Sequence, residues 1–257
     1  MWIVGLLLLA LAAGLFFGHR SKLKKLGRIV STEVQTVSHL TQLASSMAEG
    51  FGSGSLRFPA AVAGRARVAE PLVSELAETP SVYYSMSVHR EYEEDRPRES
   101  SHEGEDHGPR RASEQMARNV RSIPFQVEDA TGSIRVDPSG ARFVAENALT
   151  RFEPASAGAP RLQVGSYELV PREAGGARTL GYRFHEEVVP VDREVFVLGE
   201  VSDPDGQLRI GTPEGEGELF VSTKSRNQLV KQLGSGARGL KIGAIVCGIL
   251  GLLLVIL

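Results

Sequence analysis

The sequence runs to 257 residues, and its 29 lysines and arginines nearly balance 31 acidic residues, leaving a formal charge of −2. That balance gives no support to a nucleic-acid binder. A single cysteine, Cys247, excludes an intrachain disulfide and any zinc site built on several cysteines.

The chain opens on an uncharged run, Trp2 to Gly18, followed at once by Arg20, Lys22, Lys24, Lys25 and Arg28. A secretory signal peptide carries its positive charges ahead of the apolar stretch and small residues at its cleavage site. Here nothing charged precedes Trp2, and bulky Phe16 and Phe17 stand where cleavage would fall, so 2–18 reads as a retained transmembrane helix. From 20 to 49 the pattern is helical, with Leu23, Leu26, Val30, Val37, Leu40 and Met47 at three- and four-residue steps. The spacing predicts an amphipathic, membrane-proximal helix lying on its own domain or on the bilayer surface. Self-association through 20–49 as a coiled coil is the alternative, although Glu33 and Ala44 interrupt the heptad. Gly50, Gly52 and Gly54 end the helix and form a joint.

Beyond the joint the period changes to two, and 56–221 reads as one β-rich domain. Strands are expected over Ala60–Val68 and over Val82–Tyr92, where Tyr84, Met86 and Val88 alternate with Ser85, Ser87 and His89. The stretch 91–114 is charged and nearly free of apolar residues, so it is expected to be a mobile loop that buries too little surface to offset its ordering entropy. Ile123–Val127 and Ser133–Val136 flank turn residues and form a hairpin. Phe143–Phe152 fits a strand or a short helix. Thr179–Val189 alternates, with Tyr182, Phe184 and Val188 opposite Arg183, His185 and Glu187. Glu194–Val201 is apolar on both parities, which marks a strand buried on two sides. Gln207–Ile210 and Glu218–Val221 complete the set. Short turns and the lack of an intervening helical pattern argue for an antiparallel barrel or sandwich over a parallel α/β sheet. The exposed edge or groove is expected along Thr179–Val189 and Glu194–Val201.

Ser222 or Ser225 is placed to cap a membrane-proximal helix over 222–238, with Gly234 and Gly236 as points of interruption. The stretch 239–257 is a run of about 19 residues, which as a helix rising ~1.5 Å per residue nearly spans a bilayer's hydrocarbon core. It reads as a second transmembrane helix, preceded by Lys224, Arg226, Lys231, Arg238 and Lys241. Both spans turn a basic flank to the middle of the chain, which places the soluble domain on the cytoplasmic side. The fold class is therefore an α+β membrane protein: an antiparallel β-rich domain, barrel- or sandwich-like, between two terminal transmembrane helices.

Chemistry is sparse in this sequence. His102 and His107 stand among Glu103, Glu105 and Asp106, but in the loop expected to be mobile, where a solvated charged segment is the stronger reading. His185 beside Glu186 and Glu187, and His89 beside Arg90 and Glu91, fall on polar strand faces. Gly52-Ser53-Gly54-Ser55 and Gly234-Ser235-Gly236 make neither a nucleophile elbow nor a phosphate loop. No catalytic, cofactor-binding or metal-binding residue is assigned, and no cofactor is expected.

The order of pieces nevertheless resembles the GIDE, or "beside a membrane", domain of membrane-anchored RING ubiquitin ligases. The resemblance rests on the N-terminal span with its basic exit, the helix ending in Gly, the strand at Ala61–Val68, and the segment Ser122 to Val127 before an acidic turn. It continues in Glu194 to Val201, the Pro213 loop, Leu219 to Ser222, and Asn227 to Gln232 leading into the second span. It covers nearly the whole chain and implies RING-type ubiquitin transfer. In such ligases a RING holding two zinc ions through eight cysteine and histidine ligands follows the second span. Here Leu257 is the last residue and Cys247 the one cysteine, so neither a RING nor a usable catalytic cysteine is expected. Two classes follow: a non-enzymatic, membrane-anchored binding or scaffold module, or a component of a RING-type ligase whose RING another chain supplies. The expected partners are the lipid bilayer and an unidentified protein or ligand. The composition predicts that limited proteolysis cuts first within 91–114; protection of that segment would contradict its solvated character.

Overall fold

The structure, a computed structural model, describes residues 2–52, 54, 56–94, 110–155, 162–164, 167–169, 177–215 and 217–256. In chain order these form helices α1 (Trp2–Ser31) and α2 (Val37–Phe51) and strands β1 (Arg57–Arg67), β2 (Leu72–Val73), β3 (Pro80–Glu94), β4 (Arg110–Ser122), β5 (Phe125–Asp129) and β6 (Gly132–Val136). They continue as β7 (Arg142–Val144), β8 (Glu146–Pro154), β9 (Leu162–Val164), β10 (Tyr167–Leu169), β11 (Ala177–Pro190), β12 (Glu194–Ser202), β13 (Arg209–Gly211), β14 (Phe220–Ser222) and helix α3 (Arg226–Ile256).

Five strands close on themselves. β1 pairs β5, β5 pairs β6, β6 runs parallel to β13, β13 pairs β12, and β12 returns to β1 over Arg57–Arg65. The result is a closed five-stranded Greek-key barrel of the OB type. Two glycines allow its curvature: a Cβ on Gly199 would lie 2.7 Å from the Gly211 carbonyl oxygen, and one on Gly64 would overlap the Glu128 carbonyl. Alternate residues fill the interior, among them Val62, Val127, Ile134, Val197 and Ile210, as a period of two requires.

Helix α2 covers part of this core with Val37 and Leu40, backed by Ala44 and Met47. The β5–β6 turn holds its start. Asp129 Oδ2 accepts from the Val37 backbone N–H at 2.9 Å, and Thr131 Oγ1 accepts from that of Ser38 at 3.0 Å. Thr36 is the N-cap, accepting from the His39 N–H. The continuous helix expected over 20–49 is therefore broken between Ser31 and Val37, where the Gln35 N–H donates to the Ala61 carbonyl at 2.8 Å and Val34 bridges to β1. Its cause is local: Thr36 draws the backbone out of the helix to cap the next one. The heptad positions 37, 40, 44 and 47 face the barrel, while Leu23 and Val30 are exposed.

A second, antiparallel sheet grows from two insertions into the barrel, one between β1 and β5 and the other between β6 and β12. Its order is β4-β3-β11-β8, with β2 on the first residues of β3. It forms a half-barrel whose covered face carries Met86, Val88, Ala117, Tyr182 and Phe184, with Leu76 from the preceding turn packed on it. Glu186, fully buried, accepts the backbone N–H groups of Leu76 and Ala77 at 3.0 and 2.8 Å and so ties that turn down.

Several sequence expectations change. The loop expected over 91–114 is strand at both ends: β3 reaches Glu94, β4 starts at Arg110, and the two residues pair. Cross-strand charge pairs replace apolar alternation there, with Arg111 Nε 3.0 Å from Glu93 and Arg183 Nε 2.6 Å from Glu91. Residues 95–109 lie outside the described residues. The ambiguous Phe143–Phe152 stretch is strand, β7 and β8. Gly234 and Gly236 do not interrupt α3. The expected open edge is absent, because β11 lies between β3 and β8, and β12 between β1 and the pair β13 and β14. Among the described residues, the lateral edges of the second sheet belong to β8 on one side and to β2 and β4 on the other.

Asp129 is partly desolvated, which disfavours its charge, yet the hydrogen bonds from Thr131, Val37 and Gly132 outweigh this and hold its carboxyl below the usual range. A depressed folded value contributes stability that is present above the unfolded pKa of ~3.9 and is lost as pH falls through the folded one. The stability gap between wild type and Asp129→Asn, measured by denaturant unfolding, is therefore full at neutral pH and narrows on acidification; a pH-independent gap would contradict this. Val197→Asp places an unpaired charge in the barrel core and costs more than about 4 kcal/mol, enough to abolish the cooperative transition.

Candidate functional site

Strand β12 supplies both sides of the central junction. Val195 and Val197 point into the barrel, whereas Phe196 and Leu198 point out and join Ala61 of β1 and Phe220 of β14. On that outer wall sit Ile29 of α1 and Leu229 of α3, forming one buried cluster. The two helices are thus rooted on a single patch of barrel.

Hydrogen bonds lock the root. The Arg226 guanidinium donates to the carbonyls of Ile29 at 3.0 Å and Val30 at 2.6 Å, in the last turn of α1, where carbonyls have no intrahelical partner. It also sets a positive charge at the negative end of that helix. Ser225 is the cap chosen from the two candidates: its N–H donates to Gln228 Oε1 at 3.0 Å, and its Oγ accepts from the Gln228 N–H at 3.4 Å, a capping box. Beyond the root the helices run antiparallel, with Gly18 beside Leu240 and Gly243 beside Leu15. Among the described residues, Ile3–Ser21 is long and apolar enough to cross a membrane.

A pocket of about 200 Å³ opens between root and barrel. Ile29, Val144, Leu198, Phe220, Leu229 and Leu233 form its apolar lining; Arg28, Arg142, Glu218 and Gln232 complete it. A wider hollow of about 620 Å³ lies over β5, lined in part by Phe125, Gln126 and Arg135. Arg67 there is already paired with Glu128 and Asp192.

The second sheet holds a polar cluster. Tyr84 donates to Glu75 Oε1 at 3.1 Å, and Asn119 Nδ2 donates to the same oxygen at 2.5 Å and to the Tyr84 hydroxyl at 3.1 Å. Burial, then the bond to Glu75, raises the Tyr84 pKa, so the phenol remains a neutral donor near pH 7. Arg90 is 3 % exposed, donates to Thr179 Oγ1 at 2.8 Å, and lies 4.9 Å above the Tyr92 ring. Arg90 and Glu186, beside His89 and His185 in the sequence, are thus buried and not on the polar strand face. Their signal was parity: Arg90 continues the series Tyr84, Met86, Val88, and Glu186 sits between Phe184 and Val188 in the inward set.

The histidines singled out from sequence do not converge. His102 and His107 lie outside the described residues. His185 is half-buried, 3.1 Å from Thr150 Oγ1 and 3.6 Å from Glu187, and His89, on the neighbouring strand β3, is registered with Arg183 of β11 and Gln115 of β4. Among the described residues, no three His, Cys, Asp or Glu side chains gather as a metal site.

The architecture defines a β-barrel module carrying an inserted half-barrel and rooted on a helix pair. A family model described as GIDE, E3 ubiquitin ligase, matches residues 93–256, and the chain belongs to this family. Two curated relatives from Arabidopsis thaliana are similar to it. E3 ubiquitin-protein ligase SPL1 is 30% identical over 151 residues, which is 56% of this chain and 42% of the relative. E3 ubiquitin-protein ligase SP1 is 30% identical over 140 residues, 52% of this chain and 38% of the relative. The matched part thus spans less than half the length of either relative. No solved structure matches the chain.

Arg226→Ala removes two charge-assisted bonds to helix carbonyls and costs about 1–3 kcal/mol in denaturant unfolding. Arg226→Lys recovers part of this, because it keeps the charge without the planar fork. Equal stability of all three proteins would contradict the role assigned to the guanidinium.

Proposed function

We propose that the chain is a membrane-anchored, non-enzymatic recognition module of the GIDE family. The barrel is the scaffold, two helices fix it beside a bilayer, and the half-barrel meets a protein or ligand partner. The observation that carries this reading is the shared cluster of Phe196, Leu198, Ile29 and Leu229, which makes barrel wall and helix roots one packed unit. Exposed Ile242, Ile245, Val246, Ile249, Leu250 and Leu252 support α3 as the second span, since a helix with so much uncovered apolar surface suits lipid. The basic flanks favour a cytoplasmic soluble domain.

The family match and the two relatives named as ubiquitin ligases favour a second reading, in which the module is part of a RING-type ligase. These 257 residues contain one cysteine, so a zinc-binding RING would be contributed from outside them.

A reporter inserted at Glu103 should behave as cytoplasmic and one fused after Leu257 as external; the reverse pattern would overturn the orientation. In a reconstituted ubiquitination assay the chain alone should form no ubiquitin conjugates. Conjugation by the chain alone would refute the non-enzymatic reading, and conjugation only with an added RING chain would establish the second.

A further inference from the structure

The pocket at the helix root has a chemistry that neither family nor function assigns. We infer that it holds the head and glycerol region of an anionic phospholipid taken from the bilayer beside the helices. The inference rests on the membrane reading and adds a specific ligand to it.

Three observations point to this occupant. The first is position: Arg28 lies seven residues beyond Ser21, the end of the apolar segment. At ~1.5 Å per helical residue that is about 10 Å, a few ångströms beyond a headgroup layer of about 5–7 Å, a gap that a long arginine side chain reaches back across. The second is polarity: Arg28 and Arg142 offer two guanidiniums suited to a phosphodiester, in the same pocket as an apolar lining that includes Ile29, Leu229 and Leu233. Glu218, also at the pocket, is already engaged within the chain. The third is the charge around the site. Arg20, Lys22, Lys24 and Lys25 precede it on α1, and Lys224, Arg226, Lys231, Arg238 and Lys241 accompany α3 or its approach. Such a belt attracts anionic lipid and raises its local concentration where the pocket opens.

Size narrows the choice. About 200 Å³ is below the range of pockets that enclose a drug-sized molecule or cofactor. It suits a glycerol–ester region with its first methylenes, the rest of the chains staying in the bilayer. Bound there, a lipid would touch α1, α3 and the barrel together, so its occupancy would be linked to the stability of the root.

The test uses the full chain in nanodiscs of phosphatidylcholine with phosphatidylglycerol as the minor lipid, released into native mass spectrometry. One phosphatidylglycerol should be retained per chain, selectively over phosphatidylcholine. Retention should fall by roughly tenfold or more in Arg28→Gln/Arg142→Gln, at about fivefold per removed cation. Leu233→Trp keeps both charges but fills the pocket and should also abolish retention; circular dichroism verifies that each variant is folded. Retention unchanged in folded variants, or no preference for the anionic lipid, would overturn the proposal. Displacement of the lipid by millimolar inorganic phosphate would assign the site to free anions and overturn the lipid source. Resistance to carbonate extraction separates the two layers of the argument: a chain that stays in the membrane but retains no lipid refutes this inference alone, whereas a chain that washes off refutes the membrane reading beneath it.

Discussion

The barrel and the helix pair depend on one strand being buried on both sides. β12 gives Val195 and Val197 to the barrel interior and Phe196 and Leu198 to the helix roots, so a nine-residue segment belongs to two cores at once. Burying large apolar side chains contributes about 1.5–3 kcal/mol each, and here the same backbone collects that term from both faces. A strand used this way cannot be displaced without releasing the barrel and the helix pair together. The hydrogen bonds around it point the same way, with Arg226 tying the end of α1 to the start of α3 and buried Asp203, just beyond β12, accepting from the N–H groups of Gly54 and Leu56 in the approach to β1.

The half-barrel follows a different logic. It consists of two insertions that meet, β3 with β4 from one and β8 with β11 from the other, joined along the β3–β11 register from Ser81–Pro190 to Glu94–Ala177. Each insertion pairs its own strands, and the β3–β11 ladder joins them into one sheet. Their contact to the barrel is carried by residues at the near ends, such as Tyr83 stacked on Phe143 at 3.8 Å. The far ends of β3, β4 and β11 carry charge pairs in place of an apolar core.

Much of this was legible in the residues. Apolar residues on both parities of Glu194–Val201 marked the two-sided strand, period two marked β3 and β11, and the ordered set of pieces suggested the family before any geometry was known. What the sequence concealed has physical causes. Strand β4, Arg110–Ser122, carries four arginines and one glutamate, and its first residues read as part of a solvated loop, because its stability comes from its neighbour and not from its own periodicity. Burial of Arg90 and Glu186 runs against residue type, although their parity places them inside. Closure of the barrel through the parallel β6–β13 pair links residues more than seventy positions apart, a relation no local pattern encodes. The root pocket was equally hidden, since its walls come from α1, β7, β12, β14 and α3.

The central claim, that helix pair and barrel share one core through β12, is tested most directly by hydrogen exchange on the membrane-reconstituted chain with Leu198→Ala. Leu198 faces the helices and leaves the barrel interior untouched, and its truncation should cost about 2–5 kcal/mol of root packing. The account predicts that amide exchange accelerates together in the last turn of α1, the first two turns of α3 and β12. Acceleration confined to β12, with both helix roots as protected as in the wild type, would contradict it.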